Sequence, residues 1–490
     1  IRGRGGIGIR AALRSLWDLS CGSSSLLGRT KNMKDENLSI KKNEEFSTKN
    51  SLIFITDLIE KNKDNELLEY IRELHNADIA DLLHNLEPES RLDFVNKIRS
   101  NFDPEILTYL NDSLRDEIIE VLDIKQLASN AKTLDVDDAV DLVEDFEESD
   151  QTTFLDNIEE NERKLIVEGL NYPEDSAGRL MQRNFVAVDD SLNVGETIDY
   201  LRSNKNNLPE DFYDIYLINL EKKITGIVPL GRLMGSNRVV ELQDIQNKNT
   251  RIIKVTTDQE EVAYLFNKYG LVSAPVINED QNIIGSITVD DVVDVIEEER
   301  EEDILKLGGV GQTDIYEAVI NTTKSRFSWL FLNLLTAVFA SIVIGFFQAS
   351  IEKVVALAVL MPIVASMGGN AGTQTLTVSV RALAVKELTP SNAVKIVLKE
   401  TFIGGINGII FAIIISLVSM YWFQDGLLGL IIGLAMVLNL ILAGFAGTII
   451  PLTLNRLNID PALASGVILT TITDVFGFLS FLGLATIFLL

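Results

Sequence analysis

The 490-residue sequence predicts a multidomain protein with three parts. These are an α-helical, solenoid-like N-terminal domain, an α+β domain made of two repeated units, and an all-α polytopic membrane domain with five transmembrane helices. Three observations predict this architecture: residues 327–490 hold only six basic and six acidic residues, the acids concentrate in residues 33–326, and the spacing changes from helical to strand-rich near residue 180. A net charge of −28 makes nucleic acid an unexpected partner and cations expected ones.

Residues 1–50 are expected to be a leader and a disordered segment. Residues 1–32 are rich in Gly, Arg and Ser and poor in acids, which fits either a transit peptide or a translated upstream region with Met33 as the natural start. Residues 34–51 are mostly polar, which favours disorder. The single cysteine, Cys21, lies in the leader. We therefore expect no disulfide and no thiol ligand in the folded part.

Residues 51–178 predict an acidic domain of short amphipathic helices. Leucine and isoleucine recur at helical spacing, and prolines at 88, 104 and 173 interrupt the pattern. The segment 77–86 resembles the segment 137–146, which favours stacked helix pairs as in a small solenoid. His75 and His84 have no cysteine near them, so we expect surface residues rather than a zinc site.

Residues 179–296 predict two strand–helix–strand units. The second has strands at 252–257, 273–277 and 282–288 with a helix at 259–268. The first has strands at 185–188, 214–219 and 224–228 with a helix at 194–202. Both units end in a Gly-containing strand before a polar helix start, and in this they resemble a tandem CBS (Bateman) domain. The resemblance implies binding of small ligands, ATP among them, and places Asp290 at the ribose-contacting position.

Residues 297–326 predict an acidic helix that connects this domain to the first membrane span. Nine acids lie between Asp290 and Asp303, with Arg300 the only base among them. Like charges at i,i+3 and i,i+4 destabilise a helix unless cations intervene. A solvated helix screened by monovalent ions is the alternative. Oxygen ligands without Cys or His favour Mg²⁺ or Ca²⁺ over zinc or copper.

Residues 327–490 contain five segments long enough to cross a bilayer. They are 327–347, 354–380, 401–424, 426–455 and 461–490. Five of the six basic residues lie in the 381–399 and 456–460 loops, and the other two loops carry only Lys353. This predicts a multi-pass protein of the plasma or inner membrane with a cytoplasmic N-terminus and Leu490 outside. Small-residue pairs such as Gly404-x3-Gly408 predict close approach of helix backbones.

Two of these spans contain polar groups that anchoring alone does not require. Met361-Pro362 and the 366–374 segment predict a weakened or broken second span, with freed carbonyls such as that of Gly369 and the Asn370 and Gln374 amides facing a watery path; tight helix packing is the alternative. Asp474 lies inside the fifth span, where no Lys or Arg is available as a partner. A permeating cation is the expected partner, and a protonated carboxyl bonded to a neighbour such as Asn439 is the alternative.

The membrane domain contains the motifs Gly368-Gly-Asn-Ala-Gly-Thr-Gln374, Asp460-Pro-Ala-Leu-Ala-Ser465 and Thr470-Thr-Ile-Thr-Asp474. With these motifs, roughly residues 50–490 resemble the MgtE family of magnesium channels and transporters. The resemblance implies a homodimer in which Asp474 and the Thr470 carbonyl from both copies hold hydrated Mg²⁺. It also implies regulatory Mg²⁺ ligands, which are Asp137, Asp141, Asp290, Asp291, Asp294, Glu299, Glu302 and Asp303.

The function predicted from these features is a Mg²⁺-selective channel that cytosolic Mg²⁺ closes. An ion-coupled carrier of Mg²⁺, Mn²⁺ or Co²⁺ is one alternative. A membrane-anchored nucleotide or cation receptor that transports nothing is another, and it leaves Asp474 without a role. An enzyme is not expected, because the sequence has no P-loop motif and no Cys–His pairing.

Overall fold

The computed structural model describes residues 48–131, 134–206, 208–209, 212–247, 251–310 and 319–489. The leader up to residue 47, residues 311–318 of the connecting segment and Leu490 lie outside the described residues. The chain divides into two compact units, one ending at Ile98 and one beginning at Arg99. The domain boundaries at 178, 296 and 326 stay predictions.

From residue 48 onwards, where the structure describes it, the first unit contains four helices. They are α1 Thr48–Glu60, α2 Asp64–Ile71, α3 Asn76–Asn85 and α4 Pro88–Ile98. His75 caps α3, where its ring Nδ1 accepts a hydrogen bond from the Ala77 backbone N–H. The buried Arg91 side chain donates to the Leu83 and Leu86 carbonyls at the other end of this helix. These contacts give His75 and Arg91 structural roles at the two ends of α3.

The second unit begins with two 3₁₀ turns and a run of helices. The turns are Arg99–Asn101 and Pro104–Tyr109, and the helices are α5 Asp112–Ile119, α6 Ile124–Asn130, α7 Val136–Glu144, α8 Glu148–Asn157, α9 Glu160–Leu170 and α10 Ala177–Leu180. Leu142 and Val143 of α7 are fully buried, as are Leu82 and Leu83 at the matching positions of α3. The predicted similarity of segments 77–86 and 137–146 therefore corresponds to two helices with the same buried face.

Two three-stranded sheets with identical topology follow. The first contains β1 Ala187–Asp189, α11 Val194–Ser203, β2 Asp214–Ile218 and β3 Ile224–Pro229, and the helices α12 Leu230–Gly235 and α13 Leu242–Ile245 follow it. The second contains β4 Ile253–Lys254, α14 Gln259–Tyr269, β5 Ser273–Ile277 and β6 Ile283–Thr288. In each sheet the first strand pairs parallel and the third antiparallel to the second. The predicted internal repeat is confirmed.

The β4 strand is shorter than the predicted 252–257. Thr257 donates its N–H back to the Lys254 carbonyl, which closes a turn, and Asp258 then caps α14 by accepting from the Glu260 N–H. The chain therefore leaves the sheet after Lys254. At its other end, α14 stops at Gly270, which adopts the left-handed conformation with φ +62°.

The acidic residues after β6 belong to one helix, α15 Val289–Leu307. The Asp291 carboxylate accepts from the Thr288 hydroxyl at 2.7 Å and from the Thr288 N–H at 3.3 Å, which caps the first turn. Val292 and Val295 bury one side of the helix in the core of the second sheet unit. The closing helix of that unit and the start of the predicted connecting segment are therefore continuous.

The membrane domain contains five long apolar helices and one short helix. They are α16 Val319–Gly345, α17 Gln348–Lys353, α18 Ala356–Ala384, α19 Ala393–Phe423, α20 Gly426–Arg456 and α21 Pro461–Leu489. Within the described residues, five helices are long and apolar enough to span a membrane, which agrees with the prediction. More than half of the α20 span is buried, so α20 is the central helix, whereas α16 is almost fully exposed.

The prediction that the second span is broken is wrong. α18 continues as a helix through Pro362, Gly368 and Gly369. Its glycines serve close packing instead: a Cβ added at Gly372 would lie 3.0 Å from a Leu469 methyl carbon. Packing against neighbouring helices compensates for the helix-weakening residues, which sequence reasoning could not weigh.

The small-residue pairs lie where helix backbones meet. A Cβ added at Gly408 of α19 would lie 3.0 Å from the Val437 Cα of α20. One added at Gly447 of α20 would lie 2.8 Å from the Gly372 carbonyl of α18. The predicted close approach of the backbones is confirmed at these positions.

Candidate functional site

The α18 helix carries a polar stripe on its exposed face. The exposed side chains recur at helical spacing and are Ser366, Asn370, Thr373, Gln374 and Thr377. The Thr373 and Thr377 hydroxyls donate to carbonyls one turn earlier, but the Asn370 and Gln374 amides are costly against lipid, because hydrocarbon offers them no hydrogen-bond partners. The stripe is therefore suited to a water-filled path or to another protein surface.

Asp474 is a charged residue in the interior of a span, on α21. It is partly exposed, and its side chain has neither a hydrogen bond nor an ion pair with any described residue. The alternative partner, Asn439, donates its amide to the Val364 carbonyl at 2.8 Å instead. A carboxylate in this position needs a cation or water from outside the described chain.

The two predicted carbonyl ligands already accept side-chain hydrogen bonds. The Thr373 hydroxyl donates to the Gly369 carbonyl at 2.9 Å, and the Thr473 hydroxyl donates to the Thr470 carbonyl at 3.1 Å. A Cβ added at Gly369 would lie 4.0 Å from the Thr473 hydroxyl oxygen. The helices that carry the predicted pore residues thus approach each other next to Asp474 and Asn370.

A second group of predicted residues gathers between α7 and α15. The Oδ1 atom of Asp137 is buried and has no hydrogen-bond partner among the described residues. Burial, followed by the charges of Asp291, Asp138 and Asp135, holds the Asp137 pKa well above its usual range. The Asp290 charge also acts on Asp135. The structure therefore places Asp137 near Asp291, and Asp135 near Asp290.

Neighbours of these residues are also perturbed. Burial, with the Asp291 charge second, raises the pKa of Asp138 to about 7. Burial raises the pKa of Asp291 to about 6 against the opposing effect of its hydrogen bonds from Thr288. Several acids that face each other at low exposure cannot all be ionised without added positive charge. Hard oxygen donors of this kind are the ligands that Mg²⁺ and Ca²⁺ prefer.

The remaining predicted regulatory residues follow α15 towards the membrane domain. The Asp294 pKa is raised by partial burial and by Glu297. Glu299 accepts from the Gln259 amide at 2.9 Å, and burial raises its pKa. The Asp303 pKa is raised by burial and by the charge of Asp460. Asp294 therefore lies near Asp290, whereas Glu299 and Asp303 lie further along the helix and are both near Glu302.

Two predicted ligands already have basic partners. Asp141 pairs with the buried Arg115 at 3.1 Å, and Arg115 also pairs with Asp145. Glu302 pairs with Lys306 at 2.6 Å. A metal ion at either carboxylate has to share it with, or replace, the basic side chain.

Sequence reasoning missed several residues of these groups. They are Asp135, Asp138, Asp175, Glu298 and Asp460. Asp138 follows Asp137 in the first turn of α7, so its position was a usable signal. Asp175 lies far from α15 in sequence, and only the fold brings it near Glu302. Within the described parts of the chain, no three Asp, Glu, His or Cys side chains are arranged for metal coordination.

A cleft lies between the two sheet units. It encloses about 20 Å³, and its lining includes Phe185, Phe212 and Tyr216. The Tyr216 hydroxyl shares hydrogen bonds with Ser273 and Ser286, while burial raises its pKa to about 12. Aromatic rings around a small polar centre suit a flat organic ligand.

Comparison with known proteins identifies the family. A family profile described as a divalent cation transporter matches residues 361–484, the MgtE intracellular N domain matches 74–175, and a CBS domain matches 242–298. The magnesium transporter MgtE of Bacillus subtilis (strain 168) is 31% identical over 86% of this chain and 88% of its own length. The chain belongs to the MgtE family. The family resemblance in the sequence, including the CBS domain and five membrane helices, is confirmed.

The chain is similar to further MgtE proteins. The magnesium transporter MgtE of Thermus thermophilus is 30% identical over 89% of this chain and 98% of its own length. The chain is also similar to a crystal structure of the cytosolic domain of the Mg²⁺ channel MgtE in complex with ATP, at 25% identity, 50% coverage of this chain, 99% of that chain and a TM-score of 0.45. The MgtE family transports Mg²⁺, and this chain is a multi-pass membrane member of it.

Proposed function

We propose that this protein is a Mg²⁺-selective channel whose pore is lined by α18 and α21. The observation that carries the proposal is Asp474, a carboxylate inside a membrane span with no described partner. Mg²⁺ gives up its water reluctantly, so a carboxylate and neutral oxygens that contact the hydrated ion avoid most of the dehydration cost. The pore residues in this proposal are Asp474, Thr470, Asn370 and Gly369.

The pore forms between two copies of the chain in this proposal. The polar stripe on α18 is exposed in the single chain, and lipid is an unfavourable environment for it. A two-fold axis next to the stripe would place it against the stripe of the second copy, with water between them. Two Asp474 side chains would then face the same ion, which matches its double charge.

Orientation follows from the basic loops. Lys386 of the loop between α18 and α19 pairs with Glu261 of α14, so this loop faces the soluble domain. Basic loops stay in the cytoplasm. The soluble domains therefore lie on the cytoplasmic side of the plasma or inner membrane, and the C-terminus of α21 lies on the outside.

The acids between α7 and α15 form the cytosolic Mg²⁺ sensor. The buried, unpartnered Asp137 oxygen and the raised pKa values around it fit a cation site built from hard oxygen donors. Bound Mg²⁺ supplies the positive charge that allows these carboxylates to be ionised and close together. Without that charge, mutual repulsion separates α7 from α15. The sensor residues are Asp137, Asp141, Asp290, Asp291, Asp294, Glu299, Glu302 and Asp303.

The α15 helix transmits this state to the pore helices. Lys306 pairs with Asp460 at 2.8 Å, directly before α21, and Leu307 packs against the apolar cluster that contains Leu469. Ordering of α15 by the sensor thus biases the position of α21. The ion shifts the equilibrium towards the closed state by its higher affinity for that state.

The cleft between the sheet units is the proposed site for ATP. Phe185 and Phe212 offer faces for the adenine ring, and Asp214, which accepts from the Ser273 hydroxyl at 2.7 Å, offers a carboxylate for polar contacts. Calorimetric titration of the full chain with ATP and with GTP tests this site, because a contact specific for adenine favours ATP over GTP.

Flux into proteoliposomes tests the channel. We expect Asp474→Asn to reduce Mg²⁺ flux at least about tenfold, since losing an ion contact of about 1.4 kcal/mol changes occupancy by that factor. Asp425→Asn is the matched control, because Asp425 caps α20 at the end of a span and Asn can also accept from the Leu427 N–H. Full flux in Asp474→Asn would exclude the pore assignment, and dependence on a H⁺ or Na⁺ gradient would indicate the carrier alternative.

A further inference from the structure

A polar side chain lies at the centre of the membrane domain without a part in the pore described above. Asn439 belongs to α20, and its side chain is fully buried. Its neighbours on α20 include Met436 and Leu440, which belong to an apolar cluster. A primary amide is unusual in such surroundings, because it has up to four hydrogen bonds to make and few partners.

The Asn439 amide fits between two glycines on different helices. A Cβ added at Gly368 of α18 would overlap with the amide nitrogen, and one added at Gly477 of α21 would lie 2.8 Å from it. The same nitrogen donates to the Val364 carbonyl of α18 at 2.8 Å. The Asn439 side chain on α20 therefore sets how closely α18 and α21 can approach each other.

This contact lies at the level of the proposed pore residues. Gly368 directly precedes Gly369 and Asn370 on α18, and Gly477 follows Asp474 by less than one turn on α21. A Cβ added at Gly477 would also lie 3.4 Å from the Cα of Ala365 on α18. Any change in the spacing at Asn439 therefore moves the segments that carry Asn370 and Asp474 relative to each other.

Stability alone does not explain an amide at this position. The Oδ1 atom of Asn439 is buried and has no hydrogen-bond partner among the described residues. Hydrogen bonds between membrane helices contribute little, whereas a buried acceptor without a partner is costly. A leucine, which has the same number and branching of side-chain heavy atoms, avoids that cost, so hydrogen bonding alone does not account for the amide.

We propose that Asn439 is a positioning residue for Mg²⁺ permeation. Its amide holds α18 through the Val364 carbonyl and spaces α21 through Gly477, and this fixes where Asn370 and Asp474 stand. The proposal rests on the proposed function, because it takes those two residues as part of the pore.

The first test separates positioning from folding by kinetics. In Asn439→Leu we expect the KM for Mg²⁺ uptake to rise at least fivefold, while the thermal stability of the full chain stays the same or increases. Ser419→Ala is the matched control, because the Ser419 hydroxyl is also buried in a span without a described partner but lies on α19. A purely structural role would lower the maximal rate with the amount of folded protein and leave KM unchanged, which would overturn the proposal.

A double variant tests the steric part. Gly368→Ala inserts a methyl group where the amide lies, so we expect it to raise KM more than Asn439→Ala does. Combining the two substitutions removes the overlap, and the double variant should behave like Asn439→Ala alone. Additive effects would show that Gly368 and Asn439 act independently and would contradict the proposal.

Cross-linking measures the helix spacing without any transport assay. In a Cys21→Ser background, the substitutions Gly369→Cys and Thr473→Cys place two thiols within disulfide reach, since the added Cβ at Gly369 is 4.0 Å from the Thr473 hydroxyl. We expect Asn439→Leu to lower the cross-linking rate at least threefold, and an unchanged rate would overturn the positioning role. If the unsubstituted chain carries no Mg²⁺, the proposed function fails, whereas the cross-linking rate still decides whether Asn439 spaces the two helices.

Discussion

Replacing Asp138 by Asn tests the electrostatics of the contact between α7 and α15. Asp138 faces Asp291, Asp135 and Asp141, and Glu105 adds a further negative charge. Burial and these charges raise its pKa from 3.8 to about 7. The contact therefore favours the neutral carboxyl, and Asn supplies a neutral side chain of the same shape at every pH.

The magnitude follows from the two pKa values. The neutral form stabilises the contact fully below pH 3.8, and this stabilisation is lost as the pH rises through 3.8 towards about 7. At about 1.4 kcal/mol per pKa unit, the stabilisation lost at pH 7 would be about 4 kcal/mol. We halve it to about 2 kcal/mol, because water still reaches part of the Asp138 side chain. At pH 5 the corresponding loss is about 1 kcal/mol.

Hydrogen–deuterium exchange of the buried α7 amides at Ala139, Val140 and Val143 measures this contact. Without divalent cations, exchange in Asp138→Asn should be slower than in the parent by about 30-fold at pH 7 and about fivefold at pH 5. Millimolar Mg²⁺ should remove most of the difference by protecting the parent. Glu148→Gln, an exposed change of equal charge on α8, is the control. A ratio that does not vary with pH, or that equals the control, would refute the reasoning.

Three further substitutions test the supporting structure. Arg115→Met should lower the free energy of unfolding of the second unit by about 1–2 kcal/mol. Because the substitution releases Asp141, it should also increase the stabilisation by Mg²⁺. Thermal unfolding with and without Mg²⁺ measures both effects. Lys306→Met removes the ion pair with Asp460, which is worth about 1 kcal/mol. The cytosolic Mg²⁺ concentration at which the flux is halved should therefore rise about fivefold. If this concentration does not change, α15 takes no part in gating. Gly270→Ala should destabilise the end of α14 by about 1 kcal/mol. The cause is the backbone φ of +62° alone, since an added Cβ meets no atom within 4 Å. An unchanged melting temperature would contradict this expectation.

The elements that the sequence predicted well are those whose pattern is local. The β5 strand matches its prediction of 273–277, and Asp474 could be identified because one carboxylate stands out in an apolar span. The helix break in α18 was predicted wrongly because the compensating contacts come from Leu469 on α21 and from α20, distant in sequence. Asp138 lies next to Asp137 in sequence, but its burial near Asp291 depends on the packing of α15, which the sequence does not show. Local composition indicates which residues are unusual, but the partner that resolves each one is set by the tertiary structure.

The α15 helix explains how a charge sensor can act at a distance on the membrane domain. Its 19 residues span about 28 Å at 1.5 Å per residue. The Asp291 cap fixes its first turn in the acid group around Asp137, and Lys306 and Leu307 join its last turn to Asp460 and to the apolar cluster of α18, α20 and α21. A helix of this length bends little, so displacement of one end is carried to the other. In the proposed mechanism, repulsion at Asp137 therefore acts on α21 through one rigid element, and α21 is the helix that carries Asp474.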